Sequence, residues 1–186
     1  MSTALELLVE EAAGCTRCKL ADLGRTQVVV SRGDPASDLM FIGEGPGAEE
    51  DKQGKPFVGR SGQLLDRLVL EELGLDRDEF FVMNVVMCRP PGNRDPEPDE
   101  IEACRPWFDR KLELASPKVI VTLGNFSTKL LLQTKDGITK LRGRTYPYRG
   151  AVLAPTFHPA AVLRGGAEQM AQMRADLIRA KQVLAA

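Results

Sequence analysis

Glu44, Asn84 and His158 are where this sequence concentrates its chemistry, because each stands beside a short apolar run. Leu39 to Ile42 leads into Gly43, Glu44, Gly45, Pro46 and Gly47, and then into Glu49, Glu50 and Asp51. Glycines at such a point let the backbone turn sharply and bring its N–H groups against a ligand. Carboxylates on a loop leaving a parallel strand lie where open α/β sheets bind ligands, outside the carboxyl ends of the strands. By itself the loop is a weak signal, since it lacks both the spacing of a dinucleotide fingerprint and the Lys-Ser/Thr of a P-loop. Asn84 is the one polar side chain in Phe80 to Met87. A buried amide without partners costs about 1–3 kcal/mol, so Asn84 is either satisfied structurally or faces a ligand at the strand end. His158, the only histidine, follows the apolar Ala151 to Phe157 and is fixed by Pro159. An imidazole there can donate a hydrogen bond to an oxygen gaining negative charge, a stabilisation of about 3–4 kcal/mol. Three strand ends thus deliver one polar group each to one rim, the pattern of a binding or catalytic site.

Four cysteines form a second constellation: Cys15 and Cys18 as a Cys-x2-Cys pair, with Cys88 and Cys104 far along the chain. In a cytosolic protein a disulfide framework is not expected. Four thiolates can hold structural zinc or an iron–sulfur cluster, and both accept the x2 spacing. Spacing does not choose between them. Either group would pin the N-terminal helix to the loop Arg89 to Pro98 and to the helix after it.

The elements that must position these groups follow from periodicity. Leu5, Leu8, Val9 and Ala12 predict an amphipathic helix over Thr3 to Ala13, ended by Gly14. Val28 to Val30 reads as a small edge strand. Central strands are predicted at Leu39 to Gly43, Phe80 to Met87, Lys118 to Leu123 and Ala151 to Phe157, apolar enough to be covered on both faces. Helices are predicted at Ser61 to Leu73, Pro98 to Leu114, Asn125 to Leu132 and Glu168 to Leu184. Alternation of strands with helices predicts a three-layer α/β/α sandwich around a four-stranded parallel sheet. The whole chain, 1–186, reads as a single domain.

Composition sets the remaining bounds. With 43% hydrophobic and 27% charged residues the chain has the make-up of a globular protein, and no apolar run is long enough to span a membrane. Glu6, Glu10 and Glu11 are unlike a signal peptide, so a cytoplasmic protein is expected. A net charge of −1 gives no global attraction to nucleic acid. The local basic excess is Lys135, Lys140, Arg142, Arg144 and Arg149 against Asp136.

Gly43 to Asp51, Lys55 to Gly59, Asn84 to Pro96, the four cysteines and Thr156 to Arg164 together resemble the family 4 uracil-DNA glycosylases, the iron–sulfur branch of that superfamily. The resemblance spans nearly the whole chain in the right order. It implies a 4Fe-4S cluster on Cys15, Cys18, Cys88 and Cys104, and removal of uracil from DNA, single- or double-stranded, by a monomer. It places substrate contacts at Gly43 and Gly45, stacking of the flipped base on Phe57, reading of its edge by Asn84, and a bond from His158 to uracil O2. Glu44, with Glu50 and Asn93 in support, would position water or stabilise the sugar cation. Val162, Leu163 and Arg164 would wedge into the gap left by the flipped base, while the basic 135–149 segment with Arg60 or Arg89 would hold phosphates. Gly45 stands where many relatives have Ala. The Lys-Arg-Arg-Ile-His insertion of relatives that trap uracil DNA covalently is missing, which implies turnover. Two readings of other classes compete: an iron–sulfur electron carrier, and a non-catalytic DNA-binding module with structural zinc.

Overall fold

The computed structural model describes residues 3–186. Strands β1 (Leu39–Gly43), β2 (Phe81–Asn84), β3 (Val119–Leu123), β4 (Tyr146–Tyr148) and β5 (Ala151–Thr156) form one sheet in the order β2-β1-β3-β5-β4. The first four in that order run parallel. The predicted four-stranded parallel sheet is therefore extended by a fifth, antiparallel edge strand, making the sheet mixed. That edge was hidden in the basic stretch before residue 150. Arg149 and Gly150, with φ 46° and 84°, make the tight turn that folds Tyr146–Tyr148 back on β5, and Pro147 is tolerated because the strand is at an edge.

Side chains alternate between two apolar layers. Met40, Ile42, Phe81, Met83, Ile120 and Leu153 face one layer, closed by helices α1 (Ala4–Ala13), α4 (Pro98–Ala115) and α5 (Asn125–Leu132). Leu39, Phe41, Val82, Val121 and Ala154 face the other, closed by α3 (Arg60–Leu73) and α7 (Pro159–Leu184). A sheet buried on both faces needs the continuous apolar strands seen in the sequence. Two short helices, α2 (Ala48–Gln53) and α6 (Ile138–Leu141), fall in segments read as loops.

Val28 to Val30 is not a strand; the Val29 N–H bonds Met87 O at 2.7 Å and pairing is confined to an antiparallel bridge of Arg32 with Val82. The second strand is shorter than predicted, because beyond Asn84 the chain leaves the sheet. The closing helix begins earlier than Glu168: it starts at Pro159 and is broken at Gly166, with φ 74° and ψ −157°. No helix among the described residues is long and apolar enough to cross a membrane.

Candidate active site

The rim at the carboxyl ends of β1, β2 and β5 holds a cleft of about 620 Å³ lined by, among others, Glu44, Glu50, Phe57, Asn84, Asn93 and His158. The predicted convergence of Glu44, Asn84 and His158 is therefore present. Parallel pairing of Gly43 with Asn84 sets two of the strand ends side by side. Beyond them, Val85 and Val86 N–H groups bond the carbonyls of Gly43 and Glu44 at 3.0 and 3.1 Å, so the exiting chain stays against the glycine loop.

Gly43 lies behind the cleft rather than in its wall. A Cβ there would stand 2.5 Å from Asn84 Oδ1 and 2.6 Å from Phe57 Cζ, so only glycine lets these side chains meet over the strand end. At Gly45 a methyl would press on Val86 Cγ2 at 3.0 Å, so glycine allows the loop a closer seat on that residue.

Asn84 is 2% exposed, and its Oδ1 has no hydrogen-bond partner among the described residues. A buried acceptor left so costs about 1–3 kcal/mol. Phe57 has φ 54°, a left-handed conformation that bulky residues seldom take. Glu50 Oε1 holds the following turn by accepting from Val58 and Gly59 N–H groups, both at 2.9 Å. The Phe57 ring lies 5.8 Å from the His158 ring, tilted by 35°.

His158 caps α7: its Nδ1 accepts from the Ala160 N–H at 3.1 Å. That bond leaves the proton of a neutral imidazole on Nε2. Burial, with Arg164 nearby, pushes its pKa down to about 4. Gly124, at φ 91°, makes room for it, since a Cβ there would stand 2.9 Å from His158 Cβ. Glu44 moves the opposite way: burial and then the neighbouring Asp95 push its carboxyl up to about 7. Asp95 is the functional neighbour that the sequence reading missed. It lines both the cleft and an adjoining groove of about 470 Å³ shared by Glu44, Lys129 and His158. Its position in the Pro/Gly-rich loop delivered to this rim was the available signal. Asn93, at φ 55°, is exposed on the rim and its Oδ1 accepts from Arg89 Nε at 2.8 Å.

Residues 30–180 match the family model of the uracil DNA glycosylase superfamily. The type-4 uracil-DNA glycosylase of Sulfurisphaera tokodaii is 48% identical over 167 residues, covering 86% of this chain and 76% of that protein. That of Thermotoga maritima is 41% identical over 183 residues, covering 97% and 94%. The chain belongs to the type-4 uracil-DNA glycosylases. A type-5 uracil-DNA glycosylase of Thermus thermophilus is more distant, 29% identical over 154 residues, covering 75% and 68%.

Away from the cleft, the four cysteines that the type-4 resemblance singles out join one apolar cluster with Leu8, Leu20 and Trp107. Arg25 Nη1 donates to Cys88 Sγ at 2.9 Å and Trp107 Nε1 to Cys15 Sγ at 3.3 Å. Burial pushes the Cys104 thiol up to about 11 and raises that of Cys88. Among the described residues no three His, Cys, Asp or Glu side chains stand close enough to hold a single ion.

Val162 is 1% exposed and packs in the α3–α7 layer, so it cannot enter a base stack. Leu163, on the same turn, is 42% exposed, and Arg164 lines the cleft. Within the basic segment three cations are paired: Arg142 is tied to Asp176 by two bonds of 2.9 Å, Lys140 pairs with Asp136 at 2.9 Å and Arg149 with Asp109 at 2.5 Å, while Lys135 and Arg144 are exposed. Cations that do reach the cleft are Arg60, Arg94 and Arg164.

Proposed function

We propose that the uracil excision belonging to this family runs, in this chain, through Phe57, Asn84, His158 and Glu44, acting on a deoxyuridine turned out of the DNA stack. The observation that carries this reading is the orphaned Asn84 Oδ1 in the cleft. An acceptor held there is complementary to the N3–H of uracil, while the amide nitrogen can donate to O4. Cytosine offers an acceptor at N3 and a donor at C4, so both bonds would be lost and two buried groups left facing their own kind. Phe57 supplies the stacking face.

As the glycosidic bond breaks, its electron pair leaves with the base and negative charge gathers on uracil O2. Neutral His158, its Nδ1 committed to Ala160, presents Nε2–H as the donor for that charge. Glu44 in its ionised form stabilises the sugar cation and takes the proton of the water that adds to C1′. Products are uracil and an abasic site. Asn93 supports the water from the rim, whereas Glu50 works by holding the Phe57 turn. Leu163 is the wedge, and Arg60 and Arg164 hold phosphates, Arg94 being committed to Glu100 through both of its Nη atoms.

Cys15, Cys18, Cys88 and Cys104 fit a 4Fe-4S cluster. All four gather in one apolar pocket with N–H donors aimed at two of the sulfurs. When bound, the cluster serves as a cross-link between α1, the loop after Cys88, and α4. The protein acts as a single-domain, cytoplasmic monomer on single- or double-stranded DNA.

The test is alkali cleavage of a strand bearing one uracil, with Asn84→Leu beside the wild type. The variant is expected to lose at least about a hundredfold in kcat/KM while melting no lower than the wild type. Retained excision would remove Asn84 from base recognition.

A further inference from the structure

We propose that Arg32 is a positioning residue that fixes the spacing between Asn84 and Phe57, and so the fit of the base between its edge reader and its stacking face. This rests on the reading of those two residues as uracil contacts.

Arg32 is 7% exposed, and none of the chemistry above uses it. Its backbone is fastened to the outer edge of β2: its N–H bonds Val82 O at 3.0 Å and its carbonyl accepts from Val82 N at 2.9 Å, two residues before Asn84. Its side chain reaches the other contact. Nε donates at 3.0 Å to the carbonyl of Pro56, which belongs to the peptide plane entering Phe57. Nη1 donates at 2.7 Å to Arg77 O, and Nη2 pairs with Asp66 of α3.

Phe57 sits between two clamps. Glu50 holds the peptides after it and Arg32 the peptide before it, and its left-handed backbone persists because both sides are fixed. The carbonyl of Phe57 faces Gly62, where any side chain would overlap it. A planar guanidinium with three fixed directions can hold Pro56, Arg77 and Asp66 together; a lysine ammonium on a flexible stem cannot. Burying the Arg32–Asp66 pair adds little stability over an apolar pair of the same size, which directs attention to the geometry it imposes.

The experiment measures kcat/KM on a single-uracil strand, inhibition by free uracil, and melting temperature for Arg32→Lys and Asp66→Asn. Each is placed in the wild-type and the Phe57→Ala backgrounds. Arg32→Lys is expected to lower kcat/KM by about tenfold or more and to weaken inhibition by free uracil in step. In the Phe57→Ala background it should change either by less than about twofold, since the residue it positions is gone. Asp66→Asn, which leaves the guanidinium in place but unpaired, gives a smaller loss with the same dependence and decides the matter if Arg32→Lys does not fold. Equal losses in both backgrounds would reduce Arg32 to a fold residue, and wild-type activity in both folded variants would overturn the proposal. Full activity of Phe57→Ala alone would instead remove the stacking reading on which it stands.

Discussion

The loop from Cys88 to Pro98 has two ends with opposite physical character. At the cysteine end, sulfurs sit among Leu8, Leu20 and Trp107 and receive N–H donors from Arg25 and Trp107. At the cleft end, Asn84 Oδ1 is buried with no partner, Phe57 holds a left-handed backbone, and Glu44 keeps its proton far above the ordinary carboxylate range. On the proposed reading one end is closed by a resident cluster that the four thiolates would hold, and the other is left incomplete. The difference assigns the work: the corner fixes the loop, and the cleft keeps its unsatisfied groups for a substrate to satisfy. Mutations should therefore separate, with cleft residues costing activity and leaving stability intact or improved, and corner residues doing the reverse.

His158→Ala is the strongest way to break that comparison. Removing the donor for the leaving base should reduce kcat by about 10²–10³-fold, with a fall in melting temperature no larger than the loss of the α7 cap explains, about 1 kcal/mol. Single-turnover excision and a thermal melt on the same preparation check it. A large fall in melting temperature would move His158 to the fold side.

Cys104→Ala tests the other end. Iron and acid-labile sulfide should disappear, and the melting temperature should drop by about 10 °C or more because a cross-link between α1, the loop and α4 is lost. Excision measured well below the new melting point should fall by less than about tenfold. Zinc without sulfide in anaerobically purified wild type would replace the cluster by a structural ion; reversible redox cycling with no excision would favour the electron carrier.

Leu163→Ala has a smaller and more selective effect. An exposed apolar side chain near the N-terminus of α7 can fill the gap left by a flipped base, so activity on duplex should fall about tenfold while single-strand activity changes little. Equal losses on both substrates would remove the wedge.

How far the sequence anticipated these two ends depends on the kind of signal. Apolar runs located β1, β2, β3 and β5, and the polar residues that follow or interrupt three of them located Glu44 after β1, Asn84 on β2 and His158 after β5, because a parallel strand sends its terminal residues to one rim. What escaped was set by pairing across the fold. Tyr146–Tyr148 carries no apolar run and became a strand only through the turn at Arg149 and Gly150. Arg142 reads as a phosphate contact until Asp176, far along the chain, is found beside it. Asp95 reads as loop composition until its carboxyl meets Glu44. Val162 belongs to the same motif as Leu163, but on a helix the neighbouring residue faces another way, and Val162 points into the core.

Glu44 offers the finest measure of the contrast, through both rate and stability. If its carboxylate serves the sugar and the water, kcat/KM should fall about tenfold per pH unit below about 7, with His158 neutral throughout that range because its own pKa is near 4. Glu44→Gln should abolish this limb. On stability the sign is opposite. A folded-state pKa raised from 4.5 to about 7 means that the native protein holds this proton more tightly than the unfolded chain. Its stabilising contribution is thus complete below about 4.5 and is lost as pH rises through about 7. Glu44→Gln, uncharged at every pH, should melt a few degrees higher than the wild type at pH 8, and the gap should close on acidification. A wild type that melts higher at pH 8 would mean that the ionised carboxylate is well satisfied by its surroundings, and the cleft would lose its clearest mark of incompleteness.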